Sequence, residues 1–242
     1  MPPVAVELSV VIPAYNEARR LGPTLDRIAA YLGGRGVDHE IVVVDDGSTD
    51  GTAELVAGHP APGLRLVRQP ENRGKGAALR AGVAAAAGGA RVLLTDADLS
   101  TPIADLELLE PRLAAGADLV LGSRAAAGAR IDRHQPLYRE LMGKTFNKIV
   151  RLLGVRGVAD TQCGFKLLSG AAARDLFPRL TIDGFAWDVE LVWLARRRGW
   201  RVEEVGVSWA DSADSRVHPV RDSAAMLRDV LRMRRRHRRP GR

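Results

Sequence analysis

Two short apolar runs in the chain each end in closely spaced aspartates. Residues 41–44 lead into Asp45 and Asp46, and residues 92–94 lead through Thr95 into Asp96, Ala97 and Asp98. If both runs are strands of an open α/β sheet, their carboxyl ends face the crevice where such sheets bind ligands. Alternate residues of an extended segment point the same way, so Asp96 and Asp98 lie on one side. Carboxylates gathered there suit a hard divalent cation, and such a cation suits a diphosphate. The ligand this chemistry points to is a sugar nucleotide. Asp98 is the expected direct ligand of Mg²⁺ or Mn²⁺, with Asp96 touching the metal shell or a ribose and Ser100 offering a weak further oxygen. Asp45 is an acceptor suited to the N–H edge of a base. Asp46 either caps the loop backbone or belongs to an ordinary strand-to-helix turn.

These positions need a scaffold, and the surrounding sequence reads as one. Residues 8–12 form a first strand and 16–32 a helix, with Pro23 early in it or at a break and Gly33, Gly34 and Gly36 closing it. Residues 40–44 are a second strand, 50–57 a short helix capped by Ser48, Thr49 or Asp50, 64–68 a third strand, 75–87 an alanine-rich helix and 91–94 a fourth strand. Regular βαβ alternation with wholly apolar strands predicts a parallel sheet covered on both faces. Pro13 sets the backbone after the first strand so that Ala14, Tyr15 and Glu17 line a base and ribose pocket, Tyr15 offering a flat face for stacking. Further on, 103–115 reads as a helix and 118–122 as a strand. Residues 123–135, rich in Gly, Ala and Arg, read as a substrate loop whose arginines suit an anion. An amphipathic stripe running from Tyr138 to Leu153 predicts a further helix, packed on the core or else in contact with a membrane.

At 242 residues and 46% hydrophobic, the chain can bury a substantial core. One domain over 1–220 followed by a tail over 221–242 is the expected organisation. The single cysteine, Cys163, excludes an internal disulfide and fits a reducing, cytoplasmic compartment. No stretch approaches the ~20 apolar residues of a membrane span, and the N-terminal apolar run is too short for a secretion signal. Residues 221–242 hold nine arginines against Asp222 and Asp229, which accounts for the whole formal charge of +7. A basic terminal run, in place of a basic folded face, speaks against nucleic acid as a partner. Within it Met226, Leu227, Val230 and Leu231 recur at helical spacing beside Arg228, Arg232 and Arg235. The tail therefore reads either as a basic amphipathic helix lying on anionic lipid or as a solvated helix end.

The segments at 10–17 (VVIPAYNE), 44–52 (VDDGSTDGT), 72–76 (NRGKG) and 96–98 (DAD) resemble, in order and spacing, the inverting GT-A glycosyltransferases of family 2. Those at 160–166 (DTQCGFK), 187–191 (WDVEL) and 215–217 (SRV) resemble the dolichyl-phosphate glucosyltransferase branch. The resemblance implies an α/β, GT-A nucleotide-diphospho-sugar transferase fold, a mostly parallel sheet flanked by helices. It implies transfer of glucose from UDP-glucose to dolichyl or polyprenyl phosphate, by a peripheral protein on the cytoplasmic face of the membrane. The alternatives within the class are a GDP-mannose-dependent polyprenyl-phosphate mannose synthase and a glycosyltransferase acting on a different acceptor. In similar enzymes Pro13, Ala14, Tyr15, Glu17 and Asp45 hold the nucleoside, with Lys75 and Asp96 on the donor side, while Asp160 and Gln162 fall in a sugar-proximal segment. Asp188 and Glu190 stand where related enzymes keep a catalytic base, or else support their helix. A phosphate acceptor with a second pKa near ~6 is already mostly dianionic at neutral pH and needs no strong base. It does need cations to cancel the repulsion between two anions, and Arg124, Arg139 and Arg216 are the candidates, with Lys75 and Lys166 in reserve. Cys163 reads as a packing residue.

Overall fold

Ile41, Val42, Val43 and Val44 are all fully buried, which requires cover on both faces of the strand they form. The computed structural model, which describes residues 6–86, 88–133, 157–211 and 219–237, supplies that cover. In chain order the elements are β1 (Leu8–Ala14), α1 (Leu21–Arg35), β2 (His39–Asp45), α2 (Thr52–Gly58), β3 (Leu64–Arg68), α3 (Lys75–Ala85), β4 (Arg91–Leu94), α4 (Leu106–Ala114), β5 (Leu119–Ser123), β6 (Arg130–Arg133), β7 (Lys166–Ser169), α5 (Gly170–Leu176), α6 (Trp187–Arg197), β8 (Val202–Gly206), β9 (Ser208–Ala210) and α7 (Pro219–Arg236). The main sheet has the order β3-β2-β1-β4-β7-β5-β8. Every pairing in it is parallel except those of β7, which runs antiparallel to both neighbours, β4 and β5.

Strand order reverses at β1, with β2 and β3 laid down on one side and β4 on the other. A doubly wound sheet opens a crevice at such a point, beyond the carboxyl ends of the strands. Alternating side chains divide the core between the two faces. Val10, Ile12, Ile41 and Val43 meet Leu21, Leu25 and Ile28 of α1 and Leu106 and Leu109 on one face. Val11, Val42, Val44, Val92 and Leu94 meet α3, α5, α6 and the inner side of α7 on the other.

The four N-terminal strands lie where the apolar runs placed them, β3 and β4 with the same bounds, β1 two residues longer at its end and β2 one residue longer at each end. The first helix does not. It begins at Leu21 instead of residue 16, with Pro23 in its first turn, where a missing N–H is tolerated. The amides that would have begun it earlier are claimed by the loop after β2. Asn16 N donates to Ser48 Oγ (2.8 Å), Glu17 N to Thr52 Oγ1 (2.8 Å) and Ala18 N to Asp50 Oδ2 (3.2 Å). Side-chain acceptors of this kind compete directly with helix formation. The loop expected over 123–135 contains β6, which pairs with β9 in a small second sheet. The stripe at 138–153, Arg139 and Arg216 lie outside the described residues.

The apolar side of α7 is not open. Met226, Val230 and Met233 are buried in the core cluster shared with α6, Leu227 is half-buried, and Leu231 is exposed. Helical spacing in the tail is as expected, but two of its four expected lipid-facing residues, Met226 and Val230, pack against protein.

Candidate active site

β2 ends in Asp45, which is 1% exposed and stands in register beside Ala14 of β1 and Arg68 of β3. Its Oδ1 accepts from Ser48 N (3.1 Å). Its Oδ2 is buried with no hydrogen-bond partner among the described residues, and Arg68 Nε stands 3.7 Å away. A buried carboxylate oxygen left without a donor is costly, and an N–H from a ligand would satisfy it. Asp46 turns elsewhere. It accepts from Arg73 N (2.9 Å) and Gly74 N (2.8 Å), so of the alternatives open to it the loop cap is the one adopted. Burial pushes its carboxyl above the ordinary range although both amides hold it back. Gly47 between them has φ 72, and a Cβ there would lie 2.6 Å from Asn72 N, so only glycine lets the two loops meet.

With that loop held, α3 starts at Lys75, and the lysine ammonium lies 2.6 Å from Asp96 Oδ1. Thr95 N donates to Val11 O, carrying the ladder one residue past β4 and leaving Asp96 at the sheet edge. Asp96 packs on Gly164, where a Cβ would lie 2.5 Å from the Asp96 Cγ. Burial alone would raise the Asp96 carboxyl, but Lys75, then Lys166 and Arg124, draw it below the ordinary value, so it is ionised. Burial likewise opposes the Lys75 charge and Asp96 more than restores it. Asp98 Oδ1 accepts from Ser100 N (3.0 Å), and its Oδ2 faces Arg20 Nη1 at 3.8 Å. Leu99 between them has φ 46, a left-handed backbone that a leucine rarely adopts, of the kind that concentrates at functional sites. Arg20 also grips Glu17 through Nε and, at 2.7 Å, through Nη2. Tyr15 is 38% exposed and free to offer its ring.

The second half of the chain brings a row of charges to the same cluster. Arg124, just past β5, lies bidentate on Asp160 at 2.7 and 2.9 Å, its guanidinium 5.3 Å from the Trp209 ring centroid. Burial opposes both charges, yet the pair outweighs it. Asp160 is held at about 2 and Arg124 above its ordinary value. Asp160, in the segment read as sugar-proximal, has its two oxygens occupied by Arg124 and the Gln162 amide. The Gln162 side chain points at Met226 Sδ of α7, 3.9 Å away. Lys166 is 1% exposed; its ammonium donates to Cys163 O and lies 5.1 Å from the Trp187 ring centroid. Burial lowers it, with Asp188 opposing. Asp188 is itself pushed up to about 6 by burial, against the pull of Lys166 and Lys75. Glu190, fully buried, accepts from Thr181 N, Thr181 Oγ1 and Ile182 N at 2.8 Å and pairs with His237 at 2.7 Å. It supports its helix. Cys163 is buried with its thiol pushed up by burial, as a packing residue should be.

Sequence reasoning missed Arg20, Arg68 and Gly164. Arg20 was legible as the i, i+3 partner of Glu17. Arg68 and Gly164 become neighbours of Asp45 and Asp96 only through strand register and chain crossing, for which the linear sequence holds no signal. Among the described residues no three His, Cys, Asp or Glu side chains converge on one point. Asp96 and Asp98, one tied to Lys75 and one to the Ser100 amide beside Arg20, are hard oxygen donors that suit a cation that keeps waters and takes phosphate oxygens, the habit of Mg²⁺. No helix among the described residues is long and apolar enough to cross a membrane.

Residues 9–177 match the glycosyl transferase family 2 model. A dolichyl-phosphate beta-glucosyltransferase of Trichomonas vaginalis is 40% identical over 228 residues, which cover 89% of this chain and 67% of that protein. The Drosophila melanogaster and Homo sapiens proteins of the same name are 36% and 33% identical, covering 94% and 96% of this chain and 74% and 76% of their own lengths. Among solved structures, glucosyl-3-phosphoglycerate synthase from Mycobacterium tuberculosis with Mn²⁺, UDP-glucose and phosphoglyceric acid superposes with a TM-score of 0.69 at 24% identity, covering 97% of this chain and 81% of that one. Mannosyl-3-phosphoglycerate synthase from Rubrobacter xylanophilus does so with 0.70 at 24% identity, covering 98% and 76%. These likenesses establish the GT-A fold. Motifs, strand-edge carboxylates and relatives agree that the chain belongs to glycosyl transferase family 2, as a hexosyltransferase like the dolichyl-phosphate beta-glucosyltransferases.

Proposed function

We propose that the protein transfers glucose from UDP-glucose to dolichyl or polyprenyl phosphate with inversion at the anomeric carbon, as a peripheral protein on the cytoplasmic face of a membrane. The observation that carries this is the gathering of Asp45, Asp96 and Asp98 at one strand edge with three different partners. Asp45 keeps a buried oxygen for the N–H of a base, Asp96 is neutralised by Lys75, and Asp98 is held by the Ser100 amide with Arg20 3.8 Å away. The names of the relatives supply the sugar and the acceptor.

Pro13, Ala14, Tyr15 and Glu17 line the nucleoside side, and Lys75 places a cation close to the diphosphate. Asp98, with Asp96 behind it, would hold Mg²⁺ or Mn²⁺, which neutralises the departing diphosphate when bound. A phosphate oxygen of the acceptor attacks the anomeric carbon from the side opposite the leaving group. The bond to the diphosphate breaks, UDP leaves with the electron pair, and the product is β-linked. An acceptor that is already dianionic requires no proton removal, so the protein's task is to hold two anions together. Arg124, braced by Asp160, with Arg216 and Gln162, serves the acceptor and sugar side.

Two measurements test this. In calorimetry, UDP binds only with Mn²⁺ present, and Asp98→Ala abolishes the binding; binding that ignores both changes refutes the metal-assisted donor site. With a panel of labelled UDP- and GDP-sugars and a short polyprenyl phosphate, label enters the organic phase from UDP-glucose. Label only from GDP-mannose overturns the donor, and label from no donor overturns the acceptor.

A further inference from the structure

We infer that the outward face of α7 is a docking surface for an anionic lipid bilayer, engaged by charge and not by burial of an apolar stripe. The helix has two faces of opposite character. Met226, Val230 and Met233, spaced i, i+4 and i+7, are buried against the body of the protein. Arg228, Leu231, Arg232 and Arg235, also i, i+3, i+4 and i+7, are exposed. Asp229 is the one acidic residue among 225–237, and it is half-buried beside Arg228 at 4.0 Å.

The far end of α7 is anchored so that this face stays outward. His237 Nε2 meets the buried Glu190 Oε1 at 2.7 Å, and the His237 ring lies against Trp193, centroids 5.3 Å apart. Trp193 carries the Arg197 guanidinium 4.7 Å from its ring centroid, adding a cation beside that end of the helix.

A straight row of arginines with no outward aromatic to stack on bases and one exposed leucine among them matches anionic headgroups better than nucleic acid. With the apolar side of the helix already occupied, attraction to the headgroups must come from the arginines and must weaken as salt screens them. The same helix meets the 160–166 segment, since Met226 Sδ is the neighbour of Gln162. A bilayer lying on α7 would therefore be close to the segment that serves the acceptor. The choice of a lipid surface rests on the lipid-phosphate acceptor proposed above, whereas the surface itself rests on α7.

The test is co-sedimentation of the full chain, without donor or acceptor, with vesicles of phosphatidylcholine alone or containing phosphatidylglycerol. The expected result is at least about tenfold stronger partition into the anionic vesicles, falling steeply with added salt. Arg228→Glu/Arg232→Glu/Arg235→Glu should abolish the preference while far-UV circular dichroism and the melting temperature stay near those of the parent. Leu231→Ala should change partition less than about threefold, because docking by charge on the headgroups leaves this side chain outside the acyl region. Equal uptake by neutral vesicles, unchanged binding by the triple variant, or tighter binding to a DNA duplex at the same salt would each overturn the inference. Since the assay contains no sugar donor, those outcomes leave the transfer reaction unaffected, and loss of transfer alone leaves the docking surface unaffected.

Discussion

The Lys75 ammonium lies 2.6 Å from Asp96 Oδ1 and so joins the first turn of α3 to the carboxyl end of β4. The two elements flank the crevice at which strand order reverses. Asp98, two residues on, accepts from the Ser100 amide and faces Arg20. The two carboxylates of the Asp-Ala-Asp segment thus have different partners, a lysine for Asp96 and a backbone amide for Asp98.

Removing the lysine should therefore be felt in both fold and site. A charge-assisted hydrogen bond contributes about 1.5–3 kcal/mol, and the partial exposure of this pair puts it at the low end. Lys75→Met should lower the melting temperature by about 3–6 °C. Mn²⁺-dependent UDP affinity, measured by calorimetry, should fall by about tenfold or more. Lys75→Arg should restore most of the stability; a Met variant with unchanged UDP affinity would show that Asp96 needs no partner.

Gly164→Ala separates site from fold. Gly164 does not use the left-handed region, so alanine is tolerated by its backbone, but the added methyl meets the Asp96 carboxylate. A small displacement of a positioning group is enough to reduce productive binding by about a hundredfold. The melting temperature should change by a few degrees while metal-dependent UDP binding collapses. If binding survives with the carboxylate displaced in a crystal structure, Asp96 lies outside the donor site.

Asp188 gives the protein a measurable pH signature. Its folded pKa of about 6 lies above the unfolded value, so between those two values the folded state binds the extra proton. Stability linked to this group is therefore highest below about pH 4 and declines as pH rises to about 6, by about 3 kcal/mol in all. In Asp188→Asn that decline should disappear, and urea denaturation from pH 4 to 7 should show the gap between parent and variant moving in favour of the variant. Parallel pH profiles would mean that Asp188 is not forced to ionise in a buried setting.

The Arg124–Asp160 pair behaves in the opposite sense. Asp160 is held at about 2, below its unfolded value, so its contribution is present above about pH 4 and is lost as pH falls toward 2. Arg124→Met leaves a buried aspartate without its partner and should cost about 3–5 kcal/mol at neutral pH, less in acid. The double variant Arg124→Met/Asp160→Leu should regain much of that loss in urea denaturation. A double variant no more stable than the single one would show that the pair's surroundings, and not its charge balance, carry the effect.

Strands and chemistry were legible together in the sequence. Ile41–Val44 and Val92–Leu94 are apolar because both faces of a parallel strand are covered, and aspartates directly after such runs must sit at the ligand edge. The positions of Asp45, Asp96 and Asp98 at that edge follow without any tertiary information. That Asp46 caps the 73–74 amides, and that Ser48, Asp50 and Thr52 hold back the start of α1, does not follow from the strands, because those choices depend on two loops meeting.

The tail marks the same boundary. Periodicity alone determined that residues around 226–235 form a helix with one apolar and one arginine-rich side. Whether lipid or protein covers the apolar side was decided only when α6 came to lie against Met226, Val230 and Met233. Likewise the insertion of antiparallel β7 between β4 and β5, which carries Gly164 and Lys166 to Asp96, belongs to the packed chain. Spacing along a sequence sets which side chains share a face, whereas contact between distant segments depends on which packing of all the faces buries the most apolar surface with the fewest unpaired charges.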